Sequence, residues 1–465
     1  VDERWHVPHF EKMLYDQAQL ACVYLAAWQI TREDLHAETA QAILNYVLRE
    51  MTGPEGAFFS AEDADSPRPE RPEESGEGVF YVWPLAEVHE VLGPDLADLF
   101  CFYYGIEADG NVRDDPHGEF HGKNILFVAH ALAETAVRFG RSETDIRTRL
   151  AEGRARLMAR RCRRPRPLRD DKVLTAWNGL MISAFARAFQ AWETPPYLEA
   201  AQHAADFIQA HLYDAHSATL YRRYREGQAA VEGLAEDYAF LIQGLLDLYE
   251  ASFNPAWLNW AVALQERQNT LFWDDLNGGF FQTPAHAPAP LGRVKDTDDG
   301  AEPSASSVSV LNLLRLALLA DRPEYREKAE RTLAAFSEPL AQAPHALPAM
   351  LAGLDFLTGN PMQIIVAGPL SAAGTRTLLR DLRQPYLPAK ILQRSDGGSR
   401  PVFSAPSNPI EGQAIVYLCE HGVCRPPITN PEQWRAVLRT LFPHRPDLAR
   451  PDEPTTPIAG VVPMD

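Results

Sequence analysis

Residues 236–249 read EDYAFLIQGLLDLY. Tyr238, Leu241, Ile242, Leu245 and Tyr249 fall on one face at helical spacing, while Ala239, Phe240, Leu246 and Leu248 leave little polar surface opposite. A helix that is apolar nearly all round must be buried on most sides. The next helical stretch, around Trp257–Phe272, is followed by a Gly278-Gly279-Phe280-Phe281 turn. The same plan recurs along the chain. His9-Phe10-Glu11 leads through Trp28 to a helix around Leu35–Met51 and the turn Gly56-Ala57-Phe58-Phe59. Thr175-Ala176-Trp177-Asn178-Gly179 opens a unit that continues through Tyr197–Leu212 to Leu220-Tyr221, and Pro303-Ser304 opens one paired with Tyr325–Phe336. From opening motif to closing turn the units span about 42–48 residues, the scale of a structural repeat. The second helix of a pair carries charge on one face, as Arg326, Lys328, Glu330 and Arg331 show.

Buried opening helices wrapped by amphipathic partners predict a mainly α fold, an α/α toroid over residues 1–360 with a loop-rich insertion around 60–128. Four helix pairs stand out, with an isolated helix around Ala346–Leu357 and weaker helical segments between residues 84 and 161. The pair needed to close the ring is expected upstream of Val1. An open ring would expose apolar flanks at residues 10–28 and 346–357, so the chain alone is expected to associate. Residues 62–77 mix prolines with Glu62, Asp63, Asp65, Glu70, Glu73, Glu74 and Glu77 and read as an irregular loop. Strand–helix–strand texture over 361–445 predicts a small parallel α/β lobe, followed by a loosely held Pro-rich tail at 446–465.

With 44 Lys and Arg against 63 Asp and Glu, the net charge is −19. Such a chain repels phosphate backbones and anionic bilayers, which argues against nucleic-acid or membrane partners. No apolar run reaches the roughly 18 residues of a membrane span. The five cysteines form no disulfide framework. Cys419 and Cys424 read as reduced thiols, and a cytoplasmic setting is expected. No Walker A, GxGxxG or GxSxG motif is present, and no cofactor or metal is expected.

Polar chemistry gathers at the openings of the buried helices. His9, Lys12 and Asp16 are spaced for one helix face with Glu11 and Tyr15 beside them, either as an ion-pair network or as functional groups. Glu62, Asp63 and Asp65 follow the aromatic Phe58-Phe59; carboxylates beside aromatics suit glycoside chemistry, and turn chemistry is the other reading. Asp171 precedes Trp177-Asn178, Glu236-Asp237-Tyr238 occupy the matching place, and Glu302 and Ser304 do so again, with Asp237 and Ser304 also fitting N-caps. Glu62, Asp63, Asp171, Asp237 and His9 are the catalytic candidates. Glu11, Tyr15, Trp177, Asn178, Tyr238, Glu302 and Ser304 are the substrate-binding ones, and the set is expected to line one concave pocket.

These stretches also carry a resemblance. VDERWHVPHFEKMLYDQAQL (1–20), FFSAEDADS (58–66), EGVFYVW (77–83), RDDKVLTAWNGLM (169–181), EDYAFLIQGLL (236–246), GGFF (278–281) and DGAEPSASSV (299–308) resemble the thioredoxin-domain-containing proteins related to spermatogenesis-associated thioredoxin-like protein. The resemblance covers essentially the whole chain. It implies an N-terminal thioredoxin-like domain in the full-length protein, absent from this chain, and an (α/α)6 toroid body of the six-hairpin glycosidase type, similar to the barrels of N-acylglucosamine 2-epimerases. The chain departs from that pattern at Ala305 and Ser306, where the family reads Gly-Asn, and at His121, where it carries an acid. The functional expectation is a toroid acting on a small-molecule sugar or glycan in its central funnel, as glycosidase or epimerase. Plentiful carboxylates tilt this toward glycosidic bonds, because only His9 is placed for two-histidine epimerisation. The alternative is a non-catalytic glycan- or protein-binding scaffold serving the thioredoxin-like domain.

Overall fold

The computed structural model describes residues 5–69, 71–113, 115, 118–290, 292–359, 361–395, 415–420 and 423–441. Their helices, in chain order, are α1 (Leu14–Thr31), α2 (Asp34–Tyr46), α3 (Leu85–Leu92), α4 (Pro94–Tyr103), α5 (Leu132–Phe139), α6 (Glu143–Arg161), α7 (Thr175–Trp192) and α8 (Pro195–His211). There follow α9 (Ala235–Ser252), α10 (Pro255–Phe272), α11 (Ala305–Leu319), α12 (Pro323–Ala335), α13 (Ser337–Gln342), α14 (Pro348–Thr358), α15 (Ala373–Arg383) and α16 (Pro431–Leu441). The chain divides into two compact units. Among the described residues, one holds those up to Met13 together with Ser60–Asp171, and the other holds Leu14–Phe59 and those from Lys172 to Leu441. This cuts the chain differently from the expected domain boundary at 360: α3–α6 belong to the first unit, and the α/β lobe belongs to the second.

The second unit is the toroid. Helices α1, α7, α9, α11 and α14 pack side by side in that order, and α2, α8, α10 and α12 each lie against the inner helix that precedes them. Helix α9 is buried nearly all round, as its sequence requires, with Tyr238, Phe240, Leu241, Ile242, Leu245, Leu246 and Leu248 fully buried, whereas α1 buries one face. Two glycines set the closest approach. A Cβ on Gly179 of α7 would lie 2.5 Å from the Phe240 carbonyl carbon, and one on Gly244 of α9 would lie 2.5 Å from the Gly179 oxygen. Gly244→Ala is therefore expected to destabilise the protein by about 1–3 kcal/mol through overpacking against backbone. Gly374→Ala, on α15 with open space around it, should be neutral or slightly stabilising, since alanine favours helix over glycine. Urea denaturation of the two variants checks the contrast.

The first unit has its own core. Phe100, Tyr104, Ile146 and Leu150 centre a cluster formed by α3–α6, and Phe10, Val82, Phe120 and Ile125 form a second. Its short strands Lys12–Met13, Ala61–Glu62 and Arg169–Asp170 pair antiparallel, with Lys12 opposite Glu62 and Ala61 opposite Asp170. Residues 62–77 are not the irregular loop that composition implied: Asp65–Arg68 and Arg71–Glu77 form an antiparallel hairpin. A two-stranded ribbon needs only backbone pairing and leaves its side chains in water, so acids and prolines do not forbid it.

In the lobe, strands are ordered 390–395, 362–367, 415–420 and 423–424. Met362–Ala367 runs parallel to Lys390–Ser395 but antiparallel to Ile415–Glu420, so the sheet is mixed and not parallel throughout. Cys419 and Cys424 are cross-strand partners in register. They are joined by a disulfide, which corrects the expectation of two free thiols. The spacing argument missed the antiparallel register that sets them opposite each other. The tail at 446–465 lies outside the described residues. No helix among the described residues is long and apolar enough to cross a membrane.

Candidate functional site

The N-terminal ends of the inner helices in the toroid unit converge on a group of polar side chains. Trp177, in the first turn of α7, donates its indole N–H to Glu302 Oε2 at 2.8 Å. Its ring meets that of Tyr15, in the first turn of α1, edge to face at 4.9 Å. Gln19, one turn along α1, donates to the Ala301 carbonyl at 2.8 Å and so ties that helix to the segment carrying Glu302. Arg222, on the strand Thr219–Arg225, bridges Glu236 Oε1 at 2.5 Å and Asp237 Oδ2 at 3.2 Å. Four stretches distant in sequence thus meet because the toroid places their helix starts side by side.

The carboxylates in this group differ in state. Burial pushes Glu302 up to about 7, the neighbouring Glu236 charge adds to the rise, and the Trp177 hydrogen bond works against it. Glu302 is then an acid that holds its proton near neutral pH. Glu236 is half-buried and ion-paired with Arg222. Burial also raises Asp296, which accepts a hydrogen bond from Gln282. A half-buried acid beside an ion-paired carboxylate, faced by Trp177 and Tyr15, can donate a proton while the carboxylate stabilises positive charge on a ring stacked against the aromatics.

Other residues expected to line a pocket are engaged elsewhere. Asp237 is fully buried. It accepts from the Ala176 N–H at 3.1 Å and the Leu234 N–H at 2.9 Å, besides Arg222. Burial pushes it up to about 7 against the pull of Arg222. It sits at the third helical position, not the N-cap, and its role is to join the starts of α7 and α9. Asn178 is fully buried and spans Phe58, accepting from its N–H and donating to its C=O, both at 2.9 Å. Tyr238 is also fully buried and accepts from the Leu220 N–H at 2.9 Å. Ser304 is the N-cap of α11, as its sequence position allowed, accepting from the Ser307 N–H at 3.1 Å.

The remaining candidates lie in the first unit. α1 begins at Leu14, so His9, Lys12 and Asp16 do not share one helix face; Lys12 is in a strand and His9 precedes it. His9 is exposed, with ring nitrogens 3.3 Å from Glu11 and 3.2 Å from Glu77. Glu62 is buried, accepts from the Tyr81 hydroxyl and lies 3.9 Å from Lys12 Nζ. Asp63 is exposed and accepts from the Asp65 N–H at 3.1 Å, in keeping with turn chemistry. Asp171 is half-buried. The contacts that bring candidates together therefore lie inside each unit: Tyr15, Trp177 and Glu302 in one, His9 with Glu11 and Glu62 with Lys12 in the other. Arg222 escaped sequence reading because a lone arginine on a short polar strand carries no motif. Among the described residues, no three or more His, Cys, Asp or Glu side chains converge as metal ligands would.

Comparison with known proteins adds kinship. Over 463 residues the chain is 41% identical to spermatogenesis-associated protein 20 of Homo sapiens, covering 94% of this chain and 59% of that protein. It is 33% identical over 450 residues to an uncharacterised protein of Caenorhabditis elegans, covering 92% of this chain and 61% of that one. The chain thus spans about three fifths of the length of the curated relatives it matches. Among solved structures, the cellobiose 2-epimerase of Bacillus thermoamylovorans aligns with a TM-score of 0.39 at 6% identity, over 76% of this chain and 64% of that one. No protein-family model matches the chain.

Proposed function

We propose that the chain belongs to the spermatogenesis-associated protein 20 family and that its toroid unit is a carbohydrate-active site working on glycosidic bonds at the N-terminal mouth of the inner helices. The observation that carries this reading is the Trp177–Glu302 pair, an acid held protonated near neutral pH by burial and fixed in place by an indole donor. Glu302 donates its proton to the leaving glycosidic oxygen. Glu236, ion-paired with Arg222, faces the positive charge that develops on the sugar ring, and a water molecule adds its hydroxyl at the anomeric carbon to complete the hydrolysis. Trp177 and Tyr15 supply the apolar surface against which a sugar ring lies. His9, Glu11, Glu62, Asp63 and Asp171 are not assigned a role in this mouth.

The pH dependence follows from the sign of the shift. Glu302 is active as the acid, so kcat/KM should be flat below about 7 and fall about tenfold per unit of pH above it. A profile of kcat/KM on aryl glycosides tests this; activity that rises through the same range would reject Glu302 as the proton donor.

A second reading rests on the orientation of the same residues. If the mouth binds a glycan without cleaving it, Trp177 and Tyr15 still serve as the platform, and the toroid presents that glycan to a thioredoxin-like domain elsewhere in the full-length protein. Saccharide binding without turnover, lost on Trp177→Ala, distinguishes this from the catalytic reading.

A further inference from the structure

At the other end of the inner helices the same unit encloses a cavity of about 450 Å³. The C-terminal halves of α1, α7, α9, α11 and α14 form one side of it, and residues 383–390 of the α/β lobe form the other. It is distinct from the mouth that holds Glu302. Trp177 and Gln190 mark the two ends of α7, about 20 Å apart at 1.5 Å of rise per residue.

Most of the charge in this cavity is self-contained. Arg315 bonds Asp247 at 2.8 Å and Glu250 at 2.7 Å, and Arg187 bonds the other oxygen of Asp247 at 2.7 Å. Two arginines and two carboxylates thereby neutralise one another. Two further cations are left outside that balance. Arg383 is 5% exposed and donates through Nη2 to the carbonyls of Glu250 and Ala251 at 2.7 and 2.8 Å, while its buried Nε has no partner. Lys390 donates to the Leu382 carbonyl at 2.8 Å, and neither cation is ion-paired among the described residues. The facing wall carries Leu25, Leu311 and Phe356, with the exposed Asp355 at its edge.

We infer that this cavity is a second ligand site, binding a small organic anion whose carboxylate or phosphate lies against Lys390 and Arg383 and whose apolar or ring body lies against Leu311 and Phe356. The unused donors of both cations need oxygen acceptors, and a charge-assisted pair is the strong way to satisfy them. Burial supports the same conclusion: it pulls Lys390 down to about 8 and Arg383 down to about 10, the signature of cations without a sufficient counter-charge. Arg383 already caps α9, so its remaining donors are free for the ligand.

Isothermal titration calorimetry with phenyl phosphate, benzoate and the neutral benzyl alcohol tests this. Saturable binding of either anion is expected, with benzyl alcohol at least tenfold weaker. Preference for phenyl phosphate identifies a phosphate ester as the natural class, and preference for benzoate identifies a carboxylate. Lys390→Met should weaken the preferred anion about tenfold or more. Ala352→Trp, made at an exposed position on the cavity rim, should block it sterically, and this variant decides alone should Lys390→Met fail to fold. Glu302→Gln should leave anion binding unchanged, which separates this site from the mouth. Absence of saturable anion binding, equal affinity for benzyl alcohol, or an affinity that Ala352→Trp leaves untouched would overturn the inference.

Discussion

Replacing Glu302 by glutamine is expected to lower glycoside turnover by about 10²–10⁴-fold, the usual weight of a positioned general acid, with little change in melting temperature. Glutamine keeps the size of the side chain and an oxygen for the Trp177 indole to donate to, but it has no carboxylic proton to give. The fold should tolerate the change, because Glu302 precedes α11 and is only half-buried. In this environment the neutral amide also avoids the desolvation that raises the native acid. Asp237→Asn is the instructive contrast. That side chain joins the Ala176 and Leu234 N–H groups and meets Arg222 in a fully buried position, so its replacement should cost stability and turnover together. A Glu302→Gln protein that melts early and a turnover loss confined to Asp237→Asn would reverse the roles assigned to the two residues.

Arg315→Met should destabilise the protein by about 3–5 kcal/mol, because it leaves two buried carboxylates facing each other without their shared cation. Against a total stability of about 5–15 kcal/mol for a typical domain, that is a large fraction. Burial by itself would push Asp247 up, yet Arg187 and Arg315 together outweigh it and hold its carboxyl below the usual range. The sign follows: Asp247 contributes stability above its ordinary value, about 3.8–3.9, and that contribution fades as pH falls below it. The variant should lose this acid dependence along with the stability. Arg326→Ala, which removes an exposed pair with Glu330 on α12, should cost under about 1 kcal/mol. Urea denaturation at pH 7 and pH 3.5 measures both; equal effects of the two substitutions would show that the buried network is not a framework.

The architecture was legible where burial speaks through composition. Residues 236–249 announce a helix buried on all sides, and α7 and α11 repeat the signal, so the inner and outer pairs follow from sequence. What escaped was set by pairing across distance. The hairpin at 65–77 is polar because its faces meet water. The Cys419–Cys424 disulfide depends on an antiparallel register that spacing alone does not reveal. The lobe's mixed sheet turns on the direction of a single strand. For the proposed site, sequence pointed to the helix openings but placed Trp177, Tyr15, Asn178 and Glu302 among binding residues and Asp237 among catalytic ones. Spacing shows that a polar group stands at a helix mouth; it does not show whether that group faces outward or ties two backbones together. Arg315 is a lone charge in the apolar stretch 308–320 and carries no motif. Its meaning appears once Asp247 and Glu250 of α9 are placed beside it.

The central claim is that the mouth formed by Trp177, Glu236 and Glu302 acts on sugars. Proton NMR of the protein incubated with a panel of oligosaccharides and aryl glycosides, run in parallel with Glu302→Gln, tests it most directly. The account predicts new reducing-end anomeric signals from at least one substrate with the native protein and none above background with the variant. Native protein that neither turns over nor binds any saccharide in the panel, or a Glu302→Gln protein as active as the native one, would contradict it.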